Sequence, residues 1–122
     1  MASLVTDKGL RAFVDAVVAD NILRQLGWGT GNGQGNASND LATPAAEGRV
    51  ASAMSAVQTN TENDTLQIEG TIVAGAARAI TEVGVFDAAT NGNMIIYGDF
   101  AVITLANGDS ITFTVQAVLD QA

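Results

Sequence analysis

The sequence predicts a mainly antiparallel β protein with one N-terminal helix, folded as a β-sandwich or a barrel of jelly-roll type. Three observations predict it. A helical apolar period occurs once, near the start. Short runs of alternating apolar and polar residues fill the second half, and turn signals built on glycine and asparagine separate them. Regularly spaced short strands of this kind favour a sandwich or barrel, with a single helix covering one face or end.

The elements follow in order. Leu10, Phe13, Val14, Val17 and Val18 form one apolar stripe on a 3.6-residue period. Thr6 or Asp7 is placed to cap it, which predicts a helix over about residues 7–20. The apolar group Ile22, Leu23 and Leu26 then leads into a short strand predicted over about residues 22–28. From Gly27 to Gly35 glycine stands at every second position, a pattern that holds neither a helix nor a stable central strand. It predicts an exposed, flexible surface or interface loop over about residues 29–47, which contains the sole proline, Pro44. Trp28, the single tryptophan, is expected to pack flat against the core or a neighbouring chain.

A β module over about residues 48–119 completes the chain. Arg49 to Thr59 is rich in alanine and serine, and the even spacing of Val50, Met54 and Ala56 favours strand over helix. Thr65 to Val73 alternates more clearly, with Leu66, Ile68, Gly70 and Ile72 on one face. Further strands are predicted at Ile80–Phe86, Met94–Tyr97, Phe100–Leu105 and Ile111–Leu119. Asn91-Gly92 signals one hairpin turn and Asn107-Gly108 a second, clearer one, pairing the last two strands. The 122 residues are read as a single domain, 1–122, long enough to bury a core without metal or disulfide staples.

Composition excludes much chemistry. The chain has no cysteine and no histidine, so disulfides, Cys/His zinc sites, thiol nucleophiles and imidazole triads are ruled out. Thirteen acidic residues against five basic ones give a net charge of −8, which disfavours direct binding of nucleic acid or of an anionic membrane. No apolar run approaches a membrane span and no signal peptide is evident, so assembly in a host cytoplasm is expected.

Familiar motifs fail on inspection. A dinucleotide fingerprint starting at Gly29 needs glycine where Gln34 stands, and no Gly-Lys-Ser/Thr follows for a phosphate loop. Asp87 to Gly98 lacks the second acid and the bidentate glutamate of a calcium loop. Glu82 interrupts the apolar run Ile80–Phe86 and is expected on the solvent face or paired with a cation such as Arg78. No cofactor, metal site or catalytic residue is implied, and the chain is not expected to be an enzyme.

A resemblance rests on Gly27-Trp28-Gly29-Thr30-Gly31, Asp40-Leu41, Thr81 to Ala88, Asn91-Gly92-Asn93-Met94, Tyr97-Gly98-Asp99-Phe100 and Gly108 to Thr114. These segments resemble small virion proteins of tailed bacteriophages, in particular the capsid decoration, or cement, proteins. The resemblance spans nearly the whole chain and is firmest over residues 63–119. It implies a homotrimer on the capsid exterior with the major capsid protein as partner. Contacts to partners are expected on the glycine-rich loop and its flank, at Trp28, Gly29, Thr30, Gly31, Asn32 and Asn36. A tail fibre, or a receptor- or carbohydrate-binding tail module, is the alternative. It calls for exposed aromatics, for which Trp28 and Tyr97 are the candidates.

Overall fold

Branched and aromatic residues at alternate positions give each strand one apolar face, and two such faces here close on each other. The computed structural model describes residues 3–20 and 24–119. A helix, α1 (Asp7–Asp20), precedes seven strands: β1 (Gln25–Gly29), β2 (Val50–Ala51), β3 (Ala53–Val57), β4 (Thr65–Val73), β5 (Arg78–Phe86), β6 (Met94–Leu105) and β7 (Ser110–Val118). One sheet runs β2-β1-β5-β6 and the other β3-β4-β7, and every pairing is antiparallel. Of the two architectures the sequence allowed, the chain takes the sandwich.

The core lies between the sheets. Leu26, Trp28, Ile80, Val83 and Val85 come from the first sheet, and Leu66, Ile68, Ile72 and Phe113 from the second. The Trp28 ring meets Phe113 edge-on, 6.4 Å between centroids at 83°, a favoured aromatic arrangement. Gly70 lets Leu26 approach, since a Cβ there would lie 2.7 Å from the leucine side chain.

The Thr6 hydroxyl accepts the Gly9 N–H at 3.1 Å and caps α1. Leu10 and Val14 are buried and Val17 and Val18 pack against the core, but Phe13 of the same expected stripe is 60% exposed. The helix packs mainly on β3 and β4, and its buried strip is narrower than the apolar pattern.

Three strand expectations need correction. The run Arg49–Thr59 is two strands in different sheets. The Ser52 N–H and hydroxyl both bond the Arg24 carbonyl, and the chain leaves the first sheet for the second at that residue. Met94–Tyr97 and Phe100–Leu105 are one strand, because Gly98 and Asp99 stay in register with Val83 and Glu82. The predicted hairpin at Asn107-Gly108 is instead an arch between sheets: β6 pairs with β5 and β7 with β4. Its turn is bonded to Ala74, which accepts from the Gly108 N–H at 2.8 Å and donates to the Asp109 carbonyl at 2.7 Å. The Asn91-Gly92 turn, with φ of 54° and 67°, does join the hairpin β5–β6. The first strand begins at Gln25, and Ile22 and Leu23 lie outside the described residues.

The burial of α1 sets an order opposite to side-chain size. Val14→Ala is expected to cost about 2 kcal/mol and Phe13→Ala less than ~0.5 kcal/mol, measured by denaturant unfolding.

Candidate functional site

The outer face of the four-stranded sheet is floored with glycine. Gly27 pairs with Gly84 and Gly29 with Glu82, on the face opposite to Leu26, Trp28, Val83 and Val85. A Cβ at Gly84 would press on Phe86, Leu41 and Met94, and one at Gly29 would collide with Glu82 and the Thr43 carbonyl. The bare floor lets the connection from Thr30 to Arg49 fold flat across the sheet. Its neck is closed by Thr30 N–H to Thr43 O at 2.9 Å and Ala45 N–H to Trp28 O at 3.1 Å. Leu41, 6% exposed, covers the glycines.

Glu82 holds this connection down. In an unbroken strand Ile80 and Glu82 would share a face, but a register shift between them leaves Ile80 in the core and turns Glu82 outward beneath the loop. The carboxylate is fully buried. Its Oε1 accepts from the Ala42 N–H and the Tyr97 hydroxyl, both at 2.9 Å. Its Oε2 accepts from the Gly31 N–H at 3.1 Å and the Thr43 N–H at 2.9 Å. Burial alone would raise its pKa, but the three backbone donors and Tyr97 outweigh burial and hold it below the usual glutamate value. Burial, with the adjacent carboxylate, pushes the Tyr97 hydroxyl up to about 12. The expected cation is elsewhere: Arg78 bonds Glu47 at 2.8 Å.

Further pins surround this one. The Gly33 N–H donates to Asp99 at 3.1 Å. Asn39 donates to the Gly92 carbonyl and accepts the Met94 N–H. Arg49 lies 3.5 Å over the Phe86 ring and donates to the carbonyls of Ala88 and Asn91. Glu47 joins the indole N–H of Trp28 to Arg78, whose guanidinium hydrogen bonds lower its carboxyl to about 2. At the opposite end of the sandwich Asp64, also buried, accepts the N–H groups of Thr59, Asn60 and Thr61. The loop expected to be flexible is therefore tied along much of its length.

The expected contact residues divide accordingly. Trp28 and Gly29 are buried in β1 and Gly31 is half-buried on Glu82, while Thr30, Asn32 and Asn36 are exposed on the loop rim. Trp28 is thus spent inside the chain, and Tyr97 is half-buried with its hydroxyl on Glu82. Neither matches the exposed aromatic that a sugar-stacking site requires. The sequence leaves no mark of Asp99, Asn39 and Glu47, whose partners lie 19 to 66 residues away along the chain. Only Glu82 carried a signal, as a charge inside an apolar run.

Chemically, the Glu82 carboxylate is saturated. Each oxygen takes two hydrogen bonds and none is left for a substrate or a proton relay. Among the described residues no group of three or more acidic side chains gathers as a metal site. The arrangement is a clasp that gives the sheet a fixed, polar outer surface.

A family model described as podophage GP4 fiber I protein gp80 matches residues 25–119. The chain belongs to this family. It is accordingly a structural protein of a phage particle, and the match spans all seven strands and the clasped loop, with α1 lying before it. The description is of a fibre, which agrees with the fibre alternative rather than with the capsid cement reading. No curated protein matches the chain.

The three carboxylates Glu47, Asp64 and Glu82 are held below their ordinary values. Their contribution to stability is complete above the unfolded-state pKa of about 4 and is lost as pH falls through the folded values, near 2 for Glu47. Tyr97 acts in the other direction: its contribution is complete below the unfolded pKa of about 10 and is lost as pH rises towards about 12. With no histidine, unfolding free energy is expected to be flat across neutral pH and to fall steeply below about pH 4. Chemical denaturation across pH checks this, and absorbance of the single tyrosine should show its ionisation delayed in the folded protein.

Proposed function

We propose that this chain is a building block of a phage fibre, acting by packing against copies of itself and neighbouring virion proteins and not by catalysis. The observation that carries the reading is the fibre-family match across the entire sandwich. The saturated clasp supports it, since the most conspicuous buried charge is used to hold backbone in place. So does a composition without cysteine or histidine.

A small closed ring, three copies being the expected number, hides strand edges that a lone sandwich leaves open. The exposed rim residues Thr30, Asn32 and Asn36 then face outward on a rigid support. Rigid loops lose little conformational entropy when a neighbouring protein docks on them.

Labelling intact particles with antibody to this chain and imaging them tests the proposal. Label on filamentous projections is expected. Label spread over the capsid shell would restore the cement reading and remove the fibre.

A further inference from the structure

The two sides of the sandwich are treated differently. On one side the sheets end in β2, two residues long, and in β3, against which α1 packs. Short edge strands and covering helices are two ways in which proteins stop their edges from pairing with other chains. The opposite side has neither device. It ends in β6, twelve residues, and β7, nine residues, each paired on one side only among the described residues.

These two strands are also nearly free of charge. Of the thirteen acidic and five basic residues in the chain, only Asp99 falls within them, and its carboxylate bonds Gly33. Exposed apolar side chains gather there instead: Ile95, Val102 and Ile103 on β6 and Val118 on β7. Between the strands a cavity of about 270 Å³ opens, lined by Val83, Val85, Ile96, Thr114, Val115 and Gln116. Phe100 of β6 and Phe113 of β7 meet across the gap, 6.0 Å between ring centroids.

We propose that the β6–β7 side is the interface through which copies of this chain join, by addition of strand edge to strand edge. This rests on the reading of the chain as a self-associating fibre component. The occupant follows from charge. A copy of this chain carries −8 and is repelled wherever acidic surface meets acidic surface. It meets the least repulsion where acidic charge is sparse, and this side offers that surface. A basic partner would instead gain from acidic surface elsewhere on the chain. Strand addition satisfies the open backbone groups of the edges, and the apolar side chains supply burial.

The test is light scattering after gel filtration, over a range of micromolar concentrations, on the full chain and two variants. The unaltered protein is expected to run as an oligomer. Ile95→Glu with Val102→Glu places two further negative charges on the edge at exposed positions, where the core is not disturbed. The dissociation constant should rise by roughly 100-fold, and the mass should fall to the 12.4 kDa of one chain. Phe13→Glu, at another exposed apolar position, on the helix, should leave the oligomer intact. If the β6 double variant remains oligomeric, the interface lies elsewhere and the inference is overturned while the fibre reading stands. If the unaltered protein is a monomer throughout, self-association fails together with the inference. Hydrogen exchange on the unaltered protein gives a second reading that needs no variant. Amides on the open edge of β6 should be protected at high concentration and lose protection on dilution, and concentration-independent exchange there would also overturn the proposal.

Discussion

One buried carboxylate organises the outer half of this sandwich. Removing Glu82 from water is costly unless each of its lone pairs is engaged, and the chain engages them with three backbone N–H groups and one phenol. That requirement reaches far. It demands a register shift in β5, so that the carboxylate leaves the core side on which Ile80 remains. It demands glycine at 29, because a Cβ there would occupy the carboxylate's place. It also fixes where residues 31, 42 and 43 lie, and with them both legs of the long connection between β1 and β2. The neck hydrogen bonds, Leu41 over the glycine floor and the Asp99 and Asn39 contacts then follow from a loop already laid flat.

How much of this could be read in the sequence depends on the range of the interaction involved. Local patterns were legible. The alternation of Leu66, Ile68 and Ile72 puts those residues in the core, the Thr6 cap starts the helix, and Asn91-Gly92 makes its hairpin. Asn107-Gly108 has the same local chemistry and a positive φ at Gly108, yet it makes an arch. What separates the two turns is Ala74, more than thirty residues upstream of the second, which accepts one hydrogen bond from that turn and donates one to it. The break at Ser52 is likewise decided by the Arg24 carbonyl. Glu82 was visible as an anomaly, but the expected partner was a cation. Backbone N–H groups belong to every residue and leave no mark in the sequence, so their role as its partners was hidden. Trp28 was legible as a packing residue but not as an interior one, because alternating glycines look the same whether a loop or a sheet floor requires them.

The functional consequence is a division of labour across the fold. The family match covers the sandwich and its clasped loop, which are the parts fixed by non-local hydrogen bonds. The helix lies before the matched region and attaches through a narrow apolar strip and through Arg11, which reaches Glu62 at 3.3 Å. A structural protein of a phage particle must present the same surfaces in every copy. Carboxylates engaged mainly by backbone donors at Glu82 and Asp64 serve that end. They also confine the pH sensitivity of the fold to acid and strongly alkaline conditions.

The ionised Glu82 carboxylate holds the loop on the sheet. Glu82→Gln keeps the side-chain shape and replaces one accepting oxygen with a donor, so the most direct measurement is the unfolding free energy of this variant with amide exchange read residue by residue. A loss of about 3 kcal/mol is expected, with fast exchange at Gly31, Ala42 and Thr43 while the β4 and β7 amides stay protected. A loss below ~0.5 kcal/mol with those three amides still protected would contradict it.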